Sequence, residues 1–161
     1  MHHVRIASLV CAIGLGAGAA MAAEGPSAGE CFSTAFKAGD AEAVAACYAE
    51  EGIIWFPGGP MAQGRPAIRD GFAHFFSEVS GMTIKDVVLT DIGHVMGEGD
   101  TRTAWGNYEI RMVDKASGAE VVQRGRYTDV SKKIDGRWLY VVDHPSDDPA
   151  PPAAGPEPAA R

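Results

Sequence analysis

The sequence predicts an α+β domain in which three N-terminal helices pack on one face of a mostly antiparallel sheet. Three observations point there. Apolar residues recur at helical spacing as far as about residue 80. From Met82 onward the pattern becomes that of strands. Short turn signals, "GEGD", "DKASG" and "DG", then divide the stranded half into four.

"GECFSTAFKAGDAEAVAACYAEEG", residues 29–52, reads as two short helices. Cys31, Phe32, Ala35 and Phe36 form one apolar stripe; Val44, Cys47 and Tyr48 form the second, with Asp40 placed to cap it. "IIWFP" is a short buried strand ended by the turn "PGGP". "MAQG" leads into a third helix with Pro66 in its first turn, and Ile68, Phe72, Phe75, Phe76 and Val79 give it a core face. His74 lies opposite that face between Asp70 and Glu78, as a solvated salt-bridging residue. Four strands follow, at about 83–96, 101–113, 119–133 and 137–144. Asp135-Gly136 is a strong two-residue hairpin signal.

The chain ends suggest processing. "MHHVR", then the short apolar run "IASLVCAIGLGAGAA", then "AMA" at Ala20 to Ala22, has the form of a cleaved signal peptide over residues 1–22. The run is too short to span a membrane, so no membrane association is expected once it is removed. The Pro/Ala-rich residues 149–161 are expected to be a disordered tail. Between them lies one domain, 23–148, in a periplasmic or secreted protein.

Loss of residues 1–22 removes Arg5 and no acid, leaving 13 Lys/Arg against 21 acids and a net charge of −8. An acidic chain without a basic stripe or a Gly-rich phosphate loop argues against a nucleic-acid partner. No cofactor is called for, and no metal: His74, His94 and His144 are scattered without ligand spacing. Cys31 and Cys47 each lie eight residues from Gly39. In an oxidising compartment they are expected to form a disulfide across a helical hairpin; the alternative is two buried thiols.

Register places the chemistry. If Asp135-Gly136 is a two-residue loop, Ser131 opposes Tyr140, Asp129 opposes Val142 and Tyr127 opposes His144. If "DKASG" closes a five-residue loop, Trp105 opposes Tyr127 and Asn107 and Glu109 join that face. Trp138 belongs to it as well. This aromatic face with a few polar groups has the composition of a small-molecule pocket, with Trp55, Phe56, Phe72 and Phe76 as further walls. Asp129, His144 and Tyr127 are its candidate catalytic groups, since an acid and an imidazole in one cavity can move a proton. The alternative is structural: Tyr127 hydrogen-bonds within the sheet, Asp129 pairs with Arg126 or Lys132, and His144 ends a strand. The opposite face, with Ile110, Val122, Val130, Leu139 and Val141 among Arg124, Arg126 and Lys132, suits a homodimer surface. A slip of one residue exchanges the two faces.

"AGDAEAVAACYAEEGIIWFPGGPMAQGRPAI" followed by "GRYTDVSKKIDGRWLYVVDHPSD" resembles the SnoaL-like branch of the nuclear-transport-factor-2-like superfamily. The resemblance covers roughly residues 28–148. It implies a cone-shaped α+β barrel, a curved sheet wrapped on three helices, often with an apolar pocket and often dimeric. Members include isomerases, dehydratases, cyclases, hydrolases and kinase-association domains, so the resemblance implies a fold more than a reaction. Related ketosteroid isomerases carry a general-base Asp just before the Pro that ends the first strand; here that position is Phe56, which takes no proton. Asp129 lies near their oxyanion-binding Asp. The expectation is an exported protein binding a small organic molecule, with acid/base isomerase, lyase or cyclase chemistry, or alternatively a non-catalytic association module.

Overall fold

The computed structural model describes residues 25–149. The expected signal peptide and the tail from residue 150 onward lie outside them. The order of elements is α1 (Ala28–Ala38), α2 (Ala41–Ala45), β1 (Tyr48–Trp55), β2 (Met61–Gln63), α3 (Arg65–Glu78), β3 (Met82–Gly97), β4 (Thr101–Asp114), β5 (Glu120–Ile134) and β6 (Arg137–Asp147). Six strands form one sheet in the order β2-β1-β6-β5-β4-β3. Among the described strands only the β1–β6 pairing is parallel. The expected α+β class, with N-terminal helices on one face of a mostly antiparallel sheet, is what the chain adopts.

Local chemistry sets the helix limits. Ser27 and Glu30 form a reciprocal capping box at the start of α1, and Gly39, in the left-handed region, ends it. The Asp40 carboxylate accepts from the Ala43 N–H at 2.9 Å and starts α2. That helix is only five residues long, so Cys47 and Tyr48 fall beyond it, in the approach to β1 and in β1 itself. "MAQ" is also more than a lead into α3: it is an edge strand paired with residues 53–55.

The expected disulfide is present, with Cys31 and Cys47 Cα atoms 5.8 Å apart. It ties α1 to the residue preceding β1. Above the sheet, rings from α1, α3, β1, β6 and the turn after β1 interlock: Phe36 meets Phe76 at 5.1 Å, Phe72 meets Phe56 at 5.2 Å, and Tyr48 meets Tyr140 at 5.3 Å between centroids. The two edge-on pairs, Phe36–Phe76 and Phe56–Phe72, contribute about 0.5–1.5 kcal/mol each beyond their buried area. Phe36, Tyr48, Ile54, Ile68 and Phe72 are the centre of the core. His74 Nε2 lies 3.4 Å from Glu78 Oε1 on the exposed face of α3.

Two irregularities bend β3, one at Ile84/Asp86 and one at Asp91/Gly93, and a third displaces β6 against β5 at Val130/Ser131. Bulges add curvature and re-aim the side chains that follow them. The third decides which acids share the core side of the sheet.

Candidate functional site

The two-residue turn forms as expected: Asp135 and Gly136 both take positive φ, and Ile134 pairs with Arg137. The register holds through Ser131 opposite Tyr140, then shifts. Val141 is accommodated as an extra residue, so Val130 opposes Val142, Asp129 opposes Asp143, and Thr128 opposes His144. The expected Asp129–Val142 and Tyr127–His144 pairs are therefore corrected by one residue. Asp143 replaces His144 on the core side. Tyr127, Asp129, Ser131, Tyr140 and Asp143 are all buried there.

A second one-residue difference arises at the preceding turn. Asp114 folds back on its own loop, its Oδ1 accepting from Ser117 N and Oγ, both at 2.7 Å, and from Ala116 N at 3.1 Å. Asp114 N–H also bonds Ala119 O. The loop is thus one residue longer than five, and Val113 pairs with Glu120 rather than Ala119. Trp105 opposes Thr128 and Asn107 opposes Arg126, both on the outer face. Ile110, expected outside, is inside at 7% exposure.

The inner face encloses an apolar cavity of about 90 Å³. Phe36, Phe56, Phe72 and Ile110 form much of its wall, and Tyr127, Tyr140 and Asp143 supply its polar groups. A second cavity, of about 430 Å³, lies toward the start of α1. Asp129, Ser131 and Trp138 line it, with Arg102 and His94. Tyr140 borders both spaces.

The two carboxyl groups between these cavities have different environments. Asp143 Oδ2 accepts from Tyr48 Oη at 2.7 Å, and both residues are buried. Burial pushes Asp143 up to about 6, and the Tyr48 bond opposes the shift. Asp129 is 3% exposed, and its Oδ1 has no hydrogen-bond partner among the described residues. Burial, reinforced by the Asp143 carboxylate and opposed by the Arg102 guanidinium, pushes Asp129 up to about 7. Burial and the Asp143 charge also hold the Tyr48 phenol well above its usual range. A pair of acids with raised pKa values is suited to proton transfer near neutral pH.

On the neighbouring strands, Asp91 accepts from Tyr127 Oη on one oxygen and from Arg102 on the other. Burial and this bond raise the Tyr127 pKa. Tyr127 is thus tied to β3 as a donor, as in the structural alternative, while also lining the apolar cavity. Tyr108 donates to Asp147 at the other end of the sheet, beside Gln123, whose Nε2 reaches the same oxygen at 2.8 Å.

Of the residues expected to wall the pocket, Phe56, Phe72 and Tyr140 line the apolar cavity. Trp138 lines the second. Phe76 packs on Phe36 and Phe72 in the core instead. Trp55 and Trp105, each 39% exposed, lie on the outer face. His144 meets Trp55 there at 5.6 Å between centroids with the rings tilted, away from Asp129. Trp105 lies flat against Gly93, where any Cβ would fall 2.6 Å from its ring. Tyr48, Asp91, Arg102 and Asp143 were not among the expected site residues. An acid within an otherwise apolar strand was the one visible sign of Asp143. Nothing local marked Tyr48, which reads equally well as a helical core residue. Among the described residues no group of His, Cys, Asp and Glu is arranged to hold a metal.

The model of the SnoaL-like domain family matches residues 30–141. No curated protein matches the chain significantly. Solved structures share the fold. A ketosteroid isomerase-like protein from Erwinia carotovora atroseptica is 22% identical, covering 76% of this chain and 92% of its own, with a TM-score of 0.62. A candidate calcium/calmodulin-dependent protein kinase II association domain from Xanthomonas campestris is 24% identical, covering 72% and 79%, at 0.61. A candidate dehydratase of the nuclear-transport-factor-2-like family from Streptomyces avermitilis is 18% identical, covering 76% and 93%, at 0.59. With helices gathered on one face of a bent six-stranded sheet and the family model spanning most of the domain, the chain belongs to the SnoaL-like domain family.

Proposed function

We propose that this is an exported protein, periplasmic or secreted, whose apolar cavity binds a compact organic molecule and whose Asp143, Asp129 and Tyr127 supply acid/base groups for an isomerisation, elimination or cyclisation. One observation supports this above the others: the apolar cavity has the buried, Tyr48-bound carboxyl of Asp143 in its wall. Phe56 stands where a base would be expected from related isomerases, so Asp143 is the acid best placed to act on a molecule held there. A cavity of about 90 Å³ is smaller than the roughly 150 Å³ that accepts benzene. A ring of benzene size or larger therefore enters only as Phe56 and Phe75, both half-buried, swing aside.

Fluorobenzene followed by fluorine NMR tests the cavity. It should bind the parent protein and fail to bind Val87→Phe or Leu89→Phe, each of which fills the space while near-ultraviolet dichroism reports the fold. Binding unchanged in both folded variants would reject the cavity as the site.

The outer face supports a second reading, a homodimer or association module. Trp55, Trp105 and Ile92 lie exposed on it, Ile92 at 67%. Glu109 links Arg111 and Arg124 into an ion cluster beside them. Sedimentation equilibrium should give a dimer that Trp105→Lys dissociates; a monomer at all concentrations would reject it.

A further inference from the structure

The second cavity differs from the apolar one in every respect that matters for recognition. It holds the buried Asp129 carboxyl, 3% exposed and with no partner for Oδ1 among the described residues. An unmatched buried oxygen of this kind needs a donor. Trp138 and Tyr140 give the cavity aromatic walls, and Ser131 adds a buried hydroxyl.

The charges around it select the donor. Among the described residues Arg102 is the only Lys or Arg in the wall, where His94 also lies, and Asp91 on β3 already holds its guanidinium. Asp143 faces Asp129 from β6, and Asp100 and Glu30 stand at the rim. The start of α1, which would otherwise attract an anion, is occupied by its own acid: Glu30 Oε2 accepts from Ser27 N at 2.8 Å and from Ser27 Oγ at 3.0 Å. An anionic ligand therefore meets three lining carboxyl groups, those of Asp129, Asp100 and Glu30, and, among the described residues, no lining Lys or Arg that is free of an acid. A neutral hydroxyl satisfies Oδ1 but leaves the ionised form of Asp129 uncompensated. A protonated amine satisfies both, and its charge sits favourably against the faces of Trp138 and Tyr140.

We propose that the cavity bounded by Asp129, Ser131, Trp138 and Tyr140 is a binding subsite for a protonated primary or secondary amine, with the Asp129 carboxylate as counter-ion. This subsite is independent of the apolar cavity. Tyr140 borders both, so one amine with an apolar body can occupy the two together.

The test compares three probes of matched shape on the intact protein by titration calorimetry: 2-phenylethylammonium, 2-phenylethanol and 3-phenylpropionate. The ammonium should bind at least tenfold more tightly than the alcohol, with the carboxylate weakest. Asp129→Asn keeps the shape and removes the charge; it should bring ammonium and alcohol to within about twofold of one another. Trp138→Leu should weaken the ammonium more than the alcohol. Equal affinities in the parent protein, a preference for the carboxylate, an ammonium preference that survives Asp129→Asn, or no binding by any probe would each overturn the proposal. Fluorobenzene, run beside them, keeps the two sites apart. Its binding without an ammonium preference sinks the amine subsite alone, and an ammonium preference without fluorobenzene binding leaves the subsite standing and removes the apolar cavity as a ligand site.

Discussion

Replacing Asp129 with Asn should change the pH dependence of stability by a calculable amount. In the fold Asp129 titrates at about 7, whereas an unfolded Asp titrates near 3.9. The folded value is raised, so the neutral acid is the favoured native form. The corresponding stability is fully present below about pH 4 and is lost progressively as the pH rises to about 7, because the unfolded chain releases its proton first. Between pH 5 and pH 8 the loss attributable to this one group is about 2.6 kcal/mol, from two linked titrations at about 1.36 kcal/mol per pKa unit. Asn does not titrate. Whatever its fixed effect on packing, the stability of Asp129→Asn relative to the parent should therefore rise by about 2–3 kcal/mol from pH 5 to pH 8 and flatten above pH 7. Asp143 faces Asp129 and titrates at about 6 in the parent. Urea unfolding at both pH values measures the difference directly. A relative stability that stays constant within about 0.5 kcal/mol would show that Asp129 is ionised in the native state throughout, and the proton-transfer role would need another physical basis, while the counter-ion role would stand.

Further outcomes follow from the same contacts. The Cys31–Cys47 bridge closes a loop of sequence separation 16, which the chain-entropy relation values at about 3 kcal/mol; Cys31→Ala with Cys47→Ala should lower the melting temperature by roughly 10 °C, and an unchanged midpoint would show that the bridge constrains nothing. Tyr48→Phe leaves the buried Asp143 Oδ2 without its 2.7 Å donor, so stability at neutral pH should fall by about 1–3 kcal/mol and the Asp143 titration, followed by carbon NMR of the carboxyl, should move upward; a downward shift would refute the assigned hydrogen bond. Intact mass of protein recovered from the periplasm should give a chain beginning near Ala23, and retention of residues 1–22 would reject export with cleavage.

Much of the fold was legible because it rests on strong local signals. Asp40 and the Asp135-Gly136 turn each fix a boundary by chemistry within four residues. The faces of the sheet were less legible because they depend on single-residue events. Asp114 recruited three donors from its own loop and shifted the β4–β5 register by one, which turned Trp105 and Asn107 outward. Val141 bulged and turned His144 outward while bringing Asp143 in. Neither event changes composition or periodicity over a window. Sequence therefore identified an acid-bearing aromatic face and placed Asp129, Tyr127 and Tyr140 on it, while the partner of Asp129 proved to be another acid.

That partner changes the chemistry available. An acid beside an imidazole would pass a proton between unlike groups. Two facing acids share a low-dielectric space in which only one ionises readily, and the first to ionise raises the other. The structure already separates their roles. Tyr48 fixes one oxygen of Asp143 and resists its protonation, so Asp143 is the member disposed to carry the negative charge, consistent with its lower value of about 6 against about 7 for Asp129. Asp129, without a partner for Oδ1, is the member disposed to hold a proton or to meet a donor from outside the chain. A pair buried only for stability would be matched on both acids, since an unsatisfied buried oxygen costs about 1–3 kcal/mol. The mismatch falls on the acid that lines the larger cavity, where a bound ligand can supply the missing donor.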